Sequence, residues 1–394
     1  MNACPPARGL SAAALAVTAA LATGCSSSGT ASSNHPSAAG SAAGRVANVE
    51  ITAAKGCQSD KLAFPAGGLI FKIQNKDATA VSEVELLSGA RIVGEKENVP
   101  PGFTGEFAVN VPAGSYTLYC PGARTERRTI KVTGHSATSG TTTVGTLLAA
   151  ATKGYGEYVD AQVASLLTTS RRLATTLHGN DLGAAQKAYV AARPFYEKIE
   201  PVAESFVVGQ DSIDADLDAR EGDVPAAKWR GFHRIEKALF QQRTLAGLAP
   251  YGDRLVADVQ RLQKLTAGLK YQPTELANGA QELLDEVAAS KITGEEERYS
   301  HIDMLDIDFN VEGANQAFAQ LQPALQKIDP ALSSTIAGRF AALDQLIEKY
   351  RTSANPSGFV LYGELTATDK RAIAAAVKAV QEPLSTVAGK VANA

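Results

Sequence analysis

The helical character of most of the chain is clearest at residues 231–236, which read GFHRIE. Apolar residues recur around this segment at intervals of three and four, the pattern of one helix face: Trp229, Phe232, Ile235 and Leu239. His233 and Glu236 each follow a member of that stripe. Residues three apart on a helix are neighbours, so this pair predicts an imidazole nitrogen and a carboxylate available to one metal ion.

A second pair of candidate ligands lies upstream, in RPFYEKIEPVAE at residues 193–204. Glu197 and Glu200 have the same three-residue spacing. Pro194 predicts the first turn of a helix, and Pro201 predicts a kink one turn later. An acidic run that contains Asp214 separates this segment from the GFHRIE segment. Metal sites in helical bundles are built from facing helices, so the two pairs together favour a shared site.

The pattern of apolar residues divides the chain into two domains. From 144 to 394 the apolar residues recur at helical spacing, for example at Leu255, Val259 and Leu262, which predicts antiparallel helices packed as bundles. Residues 46–133 instead contain short β-branched and aromatic runs separated by Pro/Gly turns, which predicts an all-β sandwich. Residues 134–143, rich in Ser, Thr and Gly, are predicted to link the two domains.

The N-terminus resembles an export signal. An Ala/Leu/Val-rich stretch ends in LATGC at residues 21–25, which is similar to a bacterial lipobox, so we expect a lipoprotein signal peptide over 1–25 and lipidation of Cys25. Ordinary cleavage without lipidation is the alternative. Residues 26–45, dominated by Ser, Ala and Gly, predict a flexible tether.

Composition excludes several classes of partner. Charged residues make up 20% of the chain and the formal net charge is -3, so nothing indicates nucleic-acid binding. After the N-terminus, no apolar stretch is long enough to span a bilayer. Any transport across a membrane therefore requires a partner protein.

Several segments together resemble the EfeO branch of the imelysin family. They are GFHRIEK at 231–237, YEKIEPVAE at 196–204, TGEEERYSH at 293–301, NVEGA at 310–314 and EKENVPPG at 95–102. The resemblance implies an N-terminal cupredoxin-like sandwich followed by an all-α imelysin-like domain. VPAGSYTLYC at 111–120 is similar to the strand that leads to the metal-binding cysteine of cupredoxins.

The resemblance also implies a function in iron uptake, as the metal-binding component that delivers ferrous or ferric iron to a membrane permease. Zinc and copper are the other ions considered, and a haem peroxidase of the same system is a further implied partner. The implied location is the outer face of the cytoplasmic membrane or the periplasm. The implied ligands in the helical domain are Glu197, Glu200, Asp214, His233 and Glu236. A polar stripe is expected to line the cleft: His301, Asp303, Asp306 and Asn310.

Two alternatives remain open for the sandwich domain. The resemblance implies a metal site formed by Cys57, Cys120 and Glu83, whereas two cysteines in an exported protein also favour a disulfide. A blue-copper site is disfavoured, because such sites use two histidines and usually a methionine. No histidine follows Cys120 in its loop, and the only methionine after the signal is Met304.

A zinc metallopeptidase is the alternative function for the helical domain. His-x-x-Glu forms part of some peptidase zinc sites, and His301 is the candidate third ligand. Four carboxylates around one imidazole suit a hard or borderline ion and favour metal binding over catalysis, so no catalytic residue is assigned. Binding of haem or of an anionic polysaccharide is a third alternative.

Overall fold

The computed structural model describes residues 45–134, 143–208 and 211–394. The predicted order of domains is confirmed, with a strand-rich N-terminal part and a helical C-terminal part. The N-terminal strands are β1 (Val46–Thr52), β2 (Gly56–Ser59), β3 (Ala63–Pro65), β4 (Gly67–Asn75), β5 (Val84–Ser88), β6 (Arg91–Lys96), β7 (Thr104–Val111), β8 (Gly114–Tyr119) and β9 (Arg127–Thr133).

These strands form two sheets, with the orders β2-β1-β4-β7 and β3-β9-β8-β5-β6. In β1 every second residue is buried, namely Ala47, Val49 and Ile51, because successive side chains of a strand point to opposite faces. The apolar faces of both sheets contribute to one core, in which Phe71 stacks on Phe107 with ring centroids 5.0 Å apart. This arrangement is the predicted sandwich.

The C-terminal part is built from helices of very different lengths. They are α1 (Thr143–Leu177), α2 (Leu182–Glu197), α3 (Glu200–Glu204), α4 (Ile213–Leu217), α5 (Phe232–Glu236), α6 (Ala249–Thr266), α7 (Pro273–Ala289), α8 (Asp303–Ile328), α9 (Pro330–Ile347), α10 (Ala367–Leu384) and α11 (Val387–Ala392). Shorter elements are the strands β10 (Val207–Val208) and β11 (Asp211–Ser212), a π-helix (Lys237–Gln241) and 3₁₀ turns at Lys291–Thr293, Glu348–Tyr350 and Tyr362–Glu364.

The segment around Pro194 folds differently from the prediction. The helix α2 begins at Leu182, where the Asp181 side chain accepts a hydrogen bond from the Ala184 backbone N–H, so Pro194 lies in its last turn. Instead of a kink, the helix ends at Glu197. A new short helix, α3, begins at Glu200, with Pro201 in its first turn, where a missing N–H costs no helical hydrogen bond.

The sandwich packs directly on the helical domain through β6, β7 and α7. Arg91 on β6 makes a bidentate ion pair with Glu275, and Lys96 lies 2.7 Å from a carboxylate oxygen of Asp285. The Asn278 side chain donates to the backbone carbonyl of Ala108. The two domains therefore form a continuous structure rather than separate modules on a linker.

Three predictions concern segments outside the described residues: the signal peptide with Cys25, most of the 26–45 tether, and nearly all of the 134–143 linker. Within the described ranges, no helix has both the length and the hydropathy that a bilayer crossing requires.

Candidate metal centre

A group of buried ionisable side chains lies in the helical domain where α2, α3, α5, α8 and the 291–302 segment meet. Eight of its members are carboxylates: Glu197, Glu200, Asp218, Glu236, Glu296, Glu297, Asp303 and Asp306. The buried cations are Arg193 and Lys291, and His233 is the one imidazole among the buried residues described. This carboxylate cluster carries more negative than positive charge, and burying such an excess is costly unless protons or a cation compensate it.

His233 lies at one side of the cluster and is 1% exposed. Its Nε2 atom is 3.5 Å from Asp218 Oδ2 and 3.4 Å from Glu296 Oε1, yet it forms no well-aligned hydrogen bond with either. Gly231 makes this position possible: its φ is +85°, and a Cβ atom there would lie 2.1 Å from the Leu217 carbonyl oxygen. The turn at Gly231 brings the start of α5 against the end of α4.

Glu236 orients His233 rather than converging with it on one point. Its Oε2 is 3.2 Å from His233 Nδ1, which favours a proton on Nδ1, so loss of the second proton from the imidazole would leave the Nε2 lone pair available to an ion. Its Oε1 accepts backbone hydrogen bonds from Tyr299 and Ser300, both 2.7 Å long. In this arrangement Glu236 lies behind the imidazole, and its role as a direct ligand stays a prediction.

Among the residues that the structure describes, two sets of three side chains have ligand atoms within 4.8 Å of one another and could hold a metal ion. One set is Asp218, His233 and Glu296, and the other is Glu197, Glu296 and Asp306. Glu296 belongs to both sets. The Arg193 guanidinium contacts Glu197 and lies 3.0 Å from Asp306, so it partly neutralises the second set.

Glu197 and Glu200 do not share a helix face; both contact the ammonium of Lys291, which lies between them. Lys291 Nζ is 2.7 Å from Oε2 of both glutamates. Asn310 on α8 donates to Glu200 and to the backbone carbonyl of Glu197. The two glutamates thus converge as predicted, but from the end of α2 and the start of α3.

The remaining predicted residues divide between the cluster and its surroundings. Asp214 accepts a hydrogen bond from the Tyr196 hydroxyl and belongs to neither set of candidate ligands. Of the polar stripe, Asp303, Asp306 and Asn310 are buried in the cluster. His301 is exposed, with a φ of +60°, and is likewise in neither set. The third-ligand role required by the peptidase alternative is therefore not supported for His301.

Burial and neighbouring charge set the protonation of the cluster. Burial and nearby carboxylates raise the pKa of Glu297 well above its ordinary value, and burial raises that of Asp303 to about 6. Burial opposes ionisation of Glu296 too, but Lys291 and His233 hold its pKa well below the ordinary value. Burial alone would lower the pKa of His233, whereas Asp218 and other carboxylates raise it well above 6.5.

Three central residues were not selected from the sequence as ligands: Asp218, Glu296 and Asp306. Asp218 lies in the acidic run that also contains Asp214, and Asp306 is predicted only as cleft lining. Glu296 lies in the irregular turn before α8, where no periodicity reveals which of three consecutive glutamates points inward. Glu295 is exposed whereas Glu296 and Glu297 are buried, and tertiary contacts determine this difference.

Of the two alternatives for the sandwich domain, the structure contains the disulfide. Cys57 and Cys120 are joined in a disulfide, with Cα atoms 6.1 Å apart. Neither sulfur is a free thiolate, so the ligand set of Cys57, Glu83 and Cys120 is not formed here. Glu83 is half-buried, and burial raises its pKa.

Comparison with known proteins identifies the family. The imelysin family model matches residues 151–387. The chain belongs to the imelysin family, as an EfeO-type member. Proteins described as iron uptake system component EfeO from Escherichia coli K12, E. coli O157:H7 and Shigella flexneri are each 36% identical to it over 346 residues. Each match covers 87% of this chain and 91% of the relative.

A solved structure shares the helical fold. It is the crystal structure of a protein described as an iron-regulated protein A precursor from Parabacteroides distasonis, with a TM-score of 0.52 and 16% identity. The similarity covers 65% of this chain and 98% of that protein. At this identity the likeness concerns the fold alone.

Proposed function

We propose that the protein binds iron at the carboxylate cluster and hands it to a membrane transporter. The observation that carries this proposal is the position of Glu296, which lies 3.4 Å from the unpartnered His233 Nε2 and belongs to both sets of candidate ligands. A cation at Glu296 would relieve the repulsion among the buried carboxylates and give Nε2 a partner.

The chemistry of the donors favours iron or a similar ion. Carboxylate oxygens with one imidazole suit hard and borderline cations, whereas soft copper(I) prefers sulfur ligands, which this cluster does not contain. The EfeO relatives are named as components of an iron uptake system, and iron in either oxidation state fits the donor set. Zinc is the competing ion, since it accepts the same ligand types.

The proposal places the protein in the cell envelope. Cys25 would carry the lipid, and residues 26–45 would tether the two described domains to the outer face of the cytoplasmic membrane, with the periplasm as the unanchored alternative. A permease would move the iron across the bilayer, and a haem peroxidase is a further partner of such a system. Replacement of Cys25 by alanine is expected to shift the protein from the membrane fraction to the soluble fraction, and an unchanged distribution would contradict anchoring.

Iron binding is tested with a soluble fragment that begins after Cys25 and with its Glu296→Gln variant. Titration with Fe(II) under anaerobic conditions, followed by metal analysis after gel filtration, should show binding to the fragment. Because glutamine donates poorly to a metal and carries no charge, affinity should fall at least 10-fold in the variant.

The matched control is Glu295→Gln, which changes the neighbouring residue in the same way. The Glu295 side chain is exposed and pairs with Arg298 at the surface, so this variant should bind iron like the unaltered fragment. Equal affinities of both variants would place the ion elsewhere, and absence of binding by the unaltered fragment would overturn the proposal.

A further inference from the structure

Lys291 occupies the position that a metal ion would take among three carboxylates of the cluster. Its ammonium is 2.7 Å from Glu197 and from Glu200, and 3.7 Å from Glu296. The side chain is fully buried, and the three partners come from the end of α2, the start of α3 and the turn before α8. Carboxylates from three separate elements therefore surround one protein cation.

The backbone fixes the direction of this side chain. Lys291 begins a single 3₁₀ turn that ends at Gly294, whose φ is +83°. A Cβ atom on Gly294 would lie 2.2 Å from the Tyr362 ring, and the Tyr362 hydroxyl donates to the Ile292 carbonyl. This packing holds the turn against the 3₁₀ turn at 362–364, so the ammonium is placed in the cluster by the fold and not by a flexible loop.

The geometry points to Lys291 as a built-in counterion that a metal ion must displace, and therefore as the residue that sets which cations the centre accepts. This inference rests on the proposed iron site. With the ammonium present, Glu197 and Glu200 are already neutralised in part and held in place without metal. An incoming ion competes with a permanent positive charge at the same oxygens, since like charges at such distances repel strongly in a buried site.

This competition favours ions of high charge. A monovalent cation offers the carboxylates no more charge than the ammonium that it would replace, so it gains nothing from the exchange. Divalent and trivalent ions bring more charge to the same oxygens. Their stronger attraction to the carboxylates can offset the free energy needed to displace the ammonium. The displaced ammonium has a nearby acceptor in Glu286, a half-buried carboxylate on α7 that also contributes to the electrostatic environment of Lys291.

The test replaces Lys291 by methionine, which keeps the length and the apolar stem but removes the charge. Titration of the soluble fragment with Fe(II), Mn(II) and Zn(II) should show at least 10-fold tighter binding by Lys291→Met, which corresponds to about 1.4 kcal/mol. Thermal unfolding without metal should start at a lower temperature, because the carboxylates lose their counterion, and addition of metal should restore it.

Two further variants separate loss of charge from general damage. Lys291→Arg keeps the charge and should not bind metal more tightly than the unaltered fragment. Lys198→Met removes a lysine that pairs with the exposed Glu312 outside the cluster and should leave affinity unchanged.

Each outcome decides between the proposals. If the unaltered fragment binds iron but Lys291→Met binds it equally or more weakly, Lys291 holds the ligands in place and the counterion inference is overturned. If neither binds, both proposals fail. Binding by Lys291→Met alone would show that iron cannot displace the ammonium, and it would overturn both iron binding by the natural protein and the displacement of Lys291.

Discussion

Replacement of Glu236 by glutamine tests whether this residue anchors the centre or binds the ion itself. The carboxylate accepts two backbone hydrogen bonds of 2.7 Å from Tyr299 and Ser300, in the segment that carries Glu296. Hydrogen bonds to a charged acceptor contribute about 1.5–3 kcal/mol each, against about 1 kcal/mol for neutral pairs. Glutamine retains the oxygen but not the charge, so the loss is about 1 kcal/mol per bond.

The free energy of unfolding without metal should therefore fall by roughly 2 kcal/mol in Glu236→Gln, or about 4–8 °C in melting temperature for a helical domain of this size. The amide also changes the imidazole. Its NH₂ group would face His233 Nδ1, 3.2 Å away in the natural protein, and would favour the tautomer with the proton on Nε2. That proton occupies the lone pair needed by the ion, so metal affinity should fall about 10- to 100-fold.

Urea unfolding of the metal-free fragment and calorimetric titration with Fe(II) measure the two effects separately. Glu295→Gln is again the control, because an exposed ion pair contributes less than about 0.5 kcal/mol. The anchoring argument is refuted if Glu236→Gln matches this control in both measurements. If affinity collapses while stability is unchanged, Glu236 is a direct ligand, as the spacing on the helix first suggested.

Three further predictions concern protons and sulfur. Burial lowers the pKa of His233, but the neighbouring carboxylates raise it further, so we expect the imidazole to be protonated near neutral pH. Metal binding at pH 7 should therefore release protons. Calorimetric titration in buffers of different ionisation enthalpy measures how many protons are released. Burial and neighbouring carboxylates raise the pKa of Glu85, Glu97 and Glu282 to about 8, so the folded state holds extra protons and metal-free stability should fall as pH rises from about 5 to 8. In Glu97→Gln the melting temperature should depend less on pH between about 5 and 8. An unchanged dependence would contradict the contribution of the Glu97 carboxyl group. Alkylation of the denatured fragment should modify Cys57 and Cys120 only after reduction, because both are buried in the folded state and joined in a disulfide, and mass spectrometry distinguishes the two results.

The architecture was accessible from the sequence because it depends on local periodicity. The apolar spacing along Leu255, Val259 and Leu262 is that of the observed helix α6, and all three side chains are buried. Two of the short apolar runs between residues 46 and 133, LIFKI at 69–73 and VELL at 84–87, lie within β4 and β5. By contrast, β6 was not predicted, because RIVGEK does not alternate cleanly between apolar and polar residues.

The candidate metal centre could be predicted only in part, because spacing along a helix fixes which residues are neighbours but not what lies between them. Glu197 and Glu200 were predicted on one helix face; in the structure a helix ends at one and another begins at the other. Their convergence persists because Lys291, from a turn more than ninety residues away, binds both. Similarly, the helical spacing correctly predicts that His233 and Glu236 are neighbours. It does not predict that the backbone amides of 299 and 300 bind the Oε1 atom of Glu236.

The buried cations explain why the spacing of candidate ligands in the sequence is not enough to predict such a metal site. Arg193 contacts five carboxylates of the cluster: Glu197, Asp218, Glu296, Glu297 and Asp306. A sequence motif for a metal site counts only the donors, yet affinity depends on the charge that remains after internal cations are satisfied. Arg193 and Lys291 offset part of the negative charge of the cluster, and an excess of carboxylates remains. The proposed delivery of iron would need both properties: counterions that stabilise the folded state after the ion has left, and spare carboxylates that bind the ion.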